Sequence, residues 1–210
     1  MDKHQLAVTA VELLRRYYPD AVCTLDFKEP WQLLVAAILS AQCTDERVNR
    51  ITPGLFARFP DLPELALASR HEIEELIRSC GLYRAKANSI SASARILIDN
   101  HDGSVPGNRG ELMRLPGVGR KIANLILGDC FGQPAIVVDT HCARISRLIG
   151  LTDRTEPLAI ERDLAEVLPE ADWIDYGHLM VRHGRAICLA RRPACPQCPL
   201  QAICRFARQV

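Results

Sequence analysis

Residues 115–139 read LPGVGRKIANLILGDCFGQPAIVVD, and the fold of the whole chain turns on how this stretch is read. Gly117 and Gly119, directly after Pro116, supply a tight reversal whose backbone can be approached closely. Arg120 to Phe131 then carries apolar residues at 122, 125, 126 and 130, the spacing of an amphipathic helix. A hairpin feeding a helix is therefore expected. Bare amides at a glycine hairpin beside a helix N-terminus attract anions, because unpaired N–H groups converge there with the positive end of the helix dipole. A phosphate is the natural guest. Lys121 stands in the first turn of the helix, where a nucleophilic amine can reach such a guest. Ala135 to Val138 reads as a short extended apolar run, and Asp139 follows as the N-cap of a helix with apolar positions 142, 145, 148 and 149. An amine and a carboxylate are expected to flank one cleft.

Each of these residues also has a plain structural reading: a solvated lysine at a helix start, a capping aspartate, an ordinary turn. Their co-occurrence favours chemistry. LPGVGRKIA followed by VDTHCARI resembles the helix-hairpin-helix glycosylase superfamily of DNA repair, and the lysine in this frame points to its endonuclease III branch. SAQCTD with Val48 and Asn49 matches that branch's SAQxTDxxVN pattern. The resemblance implies that Gln42 enters the duplex where a damaged nucleotide has been extruded. Without it, Gln42 reads equally as an amide satisfying carbonyls at a helix end, and Asn49 as a polar tie between helices. The loop after Gly81 in GLYRAKA would, by the same resemblance, offer Leu82 as an apolar wedge to the base stack; the alternative is that Leu82 covers the core.

Working outward, Leu6, Ala10, Leu13, Leu14 and Tyr17 have helical spacing over residues 3–18, and Pro30 opens WQLLVAAILSAQ, apolar nearly all round. That helix is expected to run through the centre of a domain, with Ser40 and Gln42 emerging at its polar end. Ser69 and Glu72 form a capping box for a helix stopped by Gly81. A further helix over 84–98 aligns Ala87, Ile90, Ala94 and Leu97, and Asn108 with Glu111 caps a short helix leading into the hairpin. Two more helices are expected at 157–168 and 172–183, the last closed by Gly184. With one short candidate strand and no repeat, the chain reads as all-α. The resemblance implies two helical domains with a DNA-binding groove between them. Residues 22–134 would form a six-helix domain, its helix-hairpin-helix near 108–131, and 1–21 with 135–210 would form the other.

Composition excludes several classes. Over 210 residues, 48% apolar and 24% charged describe an ordinary globular protein. The longest apolar run, Leu33 to Ala41, is too short to span a membrane, and MDKHQLAV lacks a signal peptide's apolar stretch, so a cytoplasmic, nucleoid-associated protein is expected. Net charge is only +1, but after Asp175 there are six arginines and no acidic residue. A basic face gathers at one end, either as a solvated surface or as a footprint for phosphates.

Nine cysteines are present, and five of them, at 23, 43, 80, 130 and 142, are scattered singly. The other four, Cys188, Cys195, Cys198 and Cys204, have the spacing C-x6-C-x2-C-x5-C. Four thiolates so close together signal a metal. Zinc usually takes paired short knuckles, of which only one occurs, so a 4Fe-4S cluster fits better than zinc or four free thiols. The spacing also matches the iron-sulphur motif of the endonuclease III family. The span LARRPA between the first two cysteines is expected to push Arg191 and Arg192 outward to meet phosphates.

The resemblance covers essentially the whole chain. It implies a monomeric bifunctional DNA glycosylase and apurinic/apyrimidinic lyase acting on oxidised pyrimidines in base excision repair. Its partner would be double-stranded DNA containing damaged bases or abasic sites, and Lys121 and Asp139 would be its catalytic pair. Two rivals remain open at this point: an adenine-mismatch glycosylase, which lacks the lysine, and a non-catalytic DNA-binding module, which has no need of Asp139.

Overall fold

A computed structural model describes residues 1–209 of the chain. Among the described residues there are eleven α-helices and no β-strand: α1 (Lys3–Tyr17), α2 (Pro30–Leu39), α3 (Asp45–Arg58), α4 (Leu62–Leu67), α5 (Arg70–Leu76), α6 (Tyr83–His101), α7 (Arg109–Leu112), α8 (Arg120–Phe131), α9 (Thr140–Ile149), α10 (Pro157–Val167) and α11 (Trp173–Ala186). The chain is all-α. The run at 135–138, read as a candidate strand, pairs with no other strand and is irregular chain held by the burial of Ala135, Ile136 and Val138.

The chain divides into two compact units, one of Thr24–Gly132, the other of Met1–Cys23 with the chain from Gln133 onward. In the first, α2 is the axis. Pro30 starts it, a Glu29–Gln32 capping box holds its N-terminus, and every residue from Leu33 to Leu39 is buried, because α3, α6 and α8 all pack against it. Burying an aliphatic side chain contributes about 1.5–3 kcal/mol, so this helix is a large part of the unit's stability. The Ser69–Glu72 capping box forms in both directions, with the Ser69 N–H donating to Glu72 Oε2 at 3.0 Å and the Glu72 N–H donating to Ser69 Oγ at 3.2 Å. The helix it starts ends at Leu76, short of Gly81, since Ile77 and Cys80 turn into the core and the Cys80 N–H closes a turn on Ile77 O. Helix α6 buries Ala87, Ile90, Ala94 and Leu97 as their spacing predicts, and runs to His101 before a left-handed Asp102 stops it.

In the second unit, α1 packs on α10 and α11, and α9 packs on α11. Their shared core includes Leu14, Ile145, Ile149, Ile160, Leu164, Tyr176 and Met180. The buried Tyr176 hydroxyl is satisfied by Ser146 Oγ at 2.7 Å. Gly184 does not close the last helix. It lies buried inside α11, which continues to Ala186, and its lack of a side chain serves packing, because a Cβ there would run into the ring of His141.

Candidate active site

The hairpin is built by Gly117. Its φ of 82° lies in the left-handed region, and a Cβ on it would come within 2.9 Å of Ser89 Cβ, so both backbone and packing require glycine. Ser93 Oγ donates to Pro116 O at 3.1 Å and the Val118 N–H to Leu115 O at 3.1 Å, tying the turn to α6 and closing it. Gly119 differs. Its backbone is extended, with φ −94° and ψ 178°, and a Cβ there would meet nothing within 4 Å. Neither strain nor packing asks for glycine at 119; close approach by a ligand would. As the N-cap of α8, Gly119 offers no side-chain cap to the first amides of the helix, which keeps that end suited to an anion.

Lys121 is exposed in the first turn of α8. The buried face of that helix is Ala123, Ile126 and Leu127, with Ile122, Leu125 and Cys130 only half-buried, so the stripe is rotated from the one read at 122, 125, 126 and 130. The rotation brings Asn124 into the core, where its Oδ1 accepts from Arg109 Nε at 2.8 Å and joins α7 to α8. In the other unit, Asp139 is half-buried and caps α9, its Oδ1 accepting the Cys142 N–H at 2.7 Å. Burial first, and the Asp139 carboxylate second, push the Cys142 thiol far up, so that cysteine is inert. Lys121 and Asp139 belong to different units.

Gln42 and Leu82 lie together in the first unit. Both are exposed, Leu82 by 59%, and both have a left-handed backbone, with φ of 52° and 58°. A Cβ on Gly81 would stand 3.8 Å from Gln42 O, so the two turns touch. Non-glycine residues in this region cost about 1–3 kcal/mol and persist where the surroundings hold them. Leu82 does not cover the core, and Gln42 lies beyond the end of α2. Asn49 does tie elements together: its Nδ2 donates to Thr24 O at 2.8 Å and its Oδ1 accepts the Asp26 N–H at 3.1 Å. The sequence reading missed Lys86, which is buried and donates to Leu39 O at 2.8 Å, pinning α6 to the end of α2 beside the Gln42 turn. Its register with Ile90, Ala94 and Leu97 on the inward face of α6 was the available signal.

The four C-terminal cysteines line one recess with Ile145, Leu148, Ile187, Leu200 and Phe206, and none is in a disulfide. Burial pushes the Cys198 thiol up to about 11 and raises Cys188 too, the latter opposed by the Arg144 guanidinium. Arg144 donates to Cys188 O at 2.5 Å, and its Nε is buried with no hydrogen-bond partner. A half-buried guanidinium with a buried, unsatisfied Nε–H is costly unless negative charge lies nearby, and thiolates around a metal cluster would supply it. His183, also missed from sequence, is buried with Tyr18 OH 3.1 Å from Nδ1 and Cys198 Sγ 3.4 Å from Nε2. Burial, and then Arg144, hold its imidazole down to about 4, so the ring is neutral, with one nitrogen facing the Tyr18 hydroxyl and the other the Cys198 sulphur. Among the described residues no three His, Cys, Asp or Glu side chains close around a point as a single ion requires. Arg191 and Arg192 are exposed on the loop, Arg192 with φ 59°. The rest of the basic tail is partly neutralised: Arg182 pairs with Asp20 and Arg205 with Asp153.

Residues 35–170 match the HhH-GPD superfamily of base excision DNA repair proteins. The chain is 49% identical over 207 residues to the endonuclease III of Synechocystis sp., covering 98% of this chain and 94% of the relative. The chain belongs to the endonuclease III family. The endonuclease III of Bacillus subtilis is 41% identical over 189 residues, 90% of this chain and 86% of its own length. A solved structure of a trapped endonuclease III–DNA covalent intermediate superimposes with a TM-score of 0.93 at 40% identity, covering 100% of this chain and 98% of that one. Membership of the endonuclease III family accounts for the all-helical architecture and places the chain in base excision DNA repair. No helix among the described residues is long and apolar enough to cross a membrane.

Proposed function

We propose that this endonuclease III family member excises oxidised pyrimidines from double-stranded DNA as a bifunctional glycosylase and apurinic/apyrimidinic lyase, with Lys121 as nucleophile and Asp139 as its carboxylate. One observation carries the assignment. A protein 40% identical over the full length has been trapped as a covalent intermediate with DNA, and the exposed amine behind the glycine hairpin here is Lys121. The protein acts as a cytoplasmic, nucleoid-associated monomer on duplexes carrying damaged bases or abasic sites.

The target nucleotide must leave the stack, because C1′ is shielded in the duplex. The carboxylate of Asp139 stabilises the positive charge that develops on the sugar and helps take the proton from the attacking amine. Lys121 Nζ bonds to C1′ as the bond from C1′ to the base breaks, and the base leaves with the electron pair. Opening of the sugar ring yields a Schiff base. Its iminium draws electrons from C2′, so loss of a C2′ proton expels the 3′ oxygen and cuts the strand on the 3′ side of the lesion. Water then releases the lysine.

The Gly117–Gly119 hairpin and the N-terminus of α8, which has no side-chain cap, hold a backbone phosphate. Gln42 enters the space left by the flipped nucleotide, and Leu82 wedges the neighbouring step. Arg191 and Arg192 hold further phosphates, which position the protein without reading sequence. Cys188, Cys195, Cys198 and Cys204 would hold a 4Fe-4S cluster, one thiolate to each iron, rather than supplying four donors about one ion. The recess, with the buried Arg144 Nε beside it and the His183 ring facing Cys198, suits such an anionic group. When bound, it supplies a rigid junction from which the Arg191–Arg192 span projects.

The test is borohydride trapping on duplexes carrying thymine glycol, uracil, 8-oxoguanine opposite adenine, or an abasic site. Covalent adducts are expected with thymine glycol and the abasic site, and no base release from the other two. Absence of an adduct on every duplex overturns the lyase assignment.

A further inference from the structure

Two thiols outside the C-terminal loop face each other. Cys43 and Cys80 are 37 residues apart in the chain, yet their Sγ atoms stand 3.8 Å apart, and both thiols are free. Each sits in a turn that follows a helix: the Cys43 N–H donates to Ser40 O at 3.1 Å after α2, and the Cys80 N–H to Ile77 O at 2.8 Å after α5. Gln42 immediately precedes the first cysteine, and Leu82 follows the second across Gly81. The sulphur contact therefore bridges the two left-handed turns that carry the exposed glutamine and leucine.

We propose that Cys43 and Cys80 are a reversible redox pair whose disulfide locks the Gln42 turn to the Leu82 turn. The bond stands on the geometry alone; its effect on DNA binding rests on the contact roles proposed above for Gln42 and Leu82. Cys43 is half-buried and reachable by a small oxidant, whereas Cys80 is 1% exposed. A hydroperoxide is the oxidant the arrangement fits. The Cys43 sulphur attacks one peroxide oxygen and the O–O bond breaks, leaving a sulfenic acid on Cys43 and releasing water or an alcohol. The Cys80 sulphur then attacks that of Cys43, the S–O bond breaks, and the second oxygen leaves as water. The two thiols lose two protons and two electrons, and the peroxide takes up both.

Burial, with the Cys43 thiol beside it, pushes the Cys80 thiol up to about 11, which suits a partner that waits for an activated sulphur rather than meeting the oxidant itself. Rotation about χ1 carries a cysteine sulphur through more than the difference between 3.8 Å and the ~2.05 Å of a disulfide, and the bond closes where the two Cβ atoms stand about 3.5–4.5 Å apart. The cross-link would hold both left-handed turns in place, removing part of the ordering cost of binding DNA.

The experiment treats the iron-loaded protein with hydrogen peroxide while following its visible absorbance, then blocks free thiols, digests the protein and weighs the peptides. A peptide pair joined through Cys43 and Cys80, and undone by dithiothreitol, is expected. Cys80→Ser should instead accumulate a dimedone-reactive sulfenic acid at Cys43. Separate over-oxidation of the two cysteines, or two thiols that stay blockable throughout, overturns the pair. In the functional arm, the oxidised protein should bind a duplex with a tetrahydrofuran abasic analogue about threefold more tightly than the reduced one, a difference absent in Cys80→Ser. A verified cross-link with unchanged affinity overturns the lock. Gln42→Ala and Leu82→Ala, measured reduced, separate the two readings: if neither weakens binding, the contact roles fail while the cross-linked peptide still stands.

Discussion

Gly184 of α11 lies directly against the imidazole of His141, the second residue of α9, with no room between them for a β-carbon. Asp139 is the N-cap of α9, so the close approach of α11 to the first turn of that helix helps set where the carboxylate stands. Gly184→Ala should destabilise the fold by about 1–3 kcal/mol through overpacking and lower base excision with it. Adding His141→Ala should restore much of the stability, a coupling that thermal unfolding of the double-mutant cycle reads directly. A Gly184→Ala protein that melts with the wild type would show that the ring simply moves aside.

Lys121→Gln keeps most of the side chain's length and polarity without a basic amine. It should abolish borohydride trapping and strand cleavage while holding damaged-duplex affinity within about tenfold, roughly 1.4 kcal/mol. An adduct that persists in this variant assigns the nucleophile to another amine.

Asp139→Asn should leave stability almost unchanged, since asparagine caps a helix about as well as aspartate and can still accept the Cys142 N–H. Base excision should nevertheless fall by orders of magnitude, because losing preorganised negative charge opposite a developing cation typically costs several kcal/mol, about 2.7–4 for one well-placed group. Single-turnover release of thymine glycol measures this. Equal loss of stability and rate would point to capping alone.

Arg191→Ala and Arg192→Ala should weaken binding to damaged and intact duplexes by similar factors, each flattening the log–log salt dependence by about one unit. Arg205→Ala is the control: that guanidinium is engaged by Asp153 and Arg147 O, so its loss should leave the slope unchanged. A slope that follows Arg205 instead would move the phosphate contacts along the tail.

Cys198→Ala should lower iron content from about four per chain, together with the broad visible absorbance of the cluster and DNA affinity. Cys23→Ala should change none of these, as its thiol lies outside the cysteine recess. One zinc and no colour in the wild type would refute the cluster.

Local chemistry made the helices legible before any coordinates. A Ser69–Glu72 box, an Asn108 cap and an apolar α2 each act over a few residues, so their consequences are written in the spacing. The same holds for the hairpin, the exposed Lys121 behind it, the Asp139 cap and the metal signal of the cysteine spacing. What the amino acids could not state alone was which face of α8 goes inward, that Gly184 is a packing glycine inside a helix, and that Lys86, Arg144 and His183 are partners of distant backbone and sulphur atoms. Lys86 meets Leu39 across 47 residues and Arg144 meets Cys188 across 44, His183 reaches Cys198 in a loop outside its own helix, and Cys43 meets Cys80 only because the turns after α2 and α5 come together. Spacing along the chain dictates what a residue can do locally; only tertiary packing decides which distant residue it does it with.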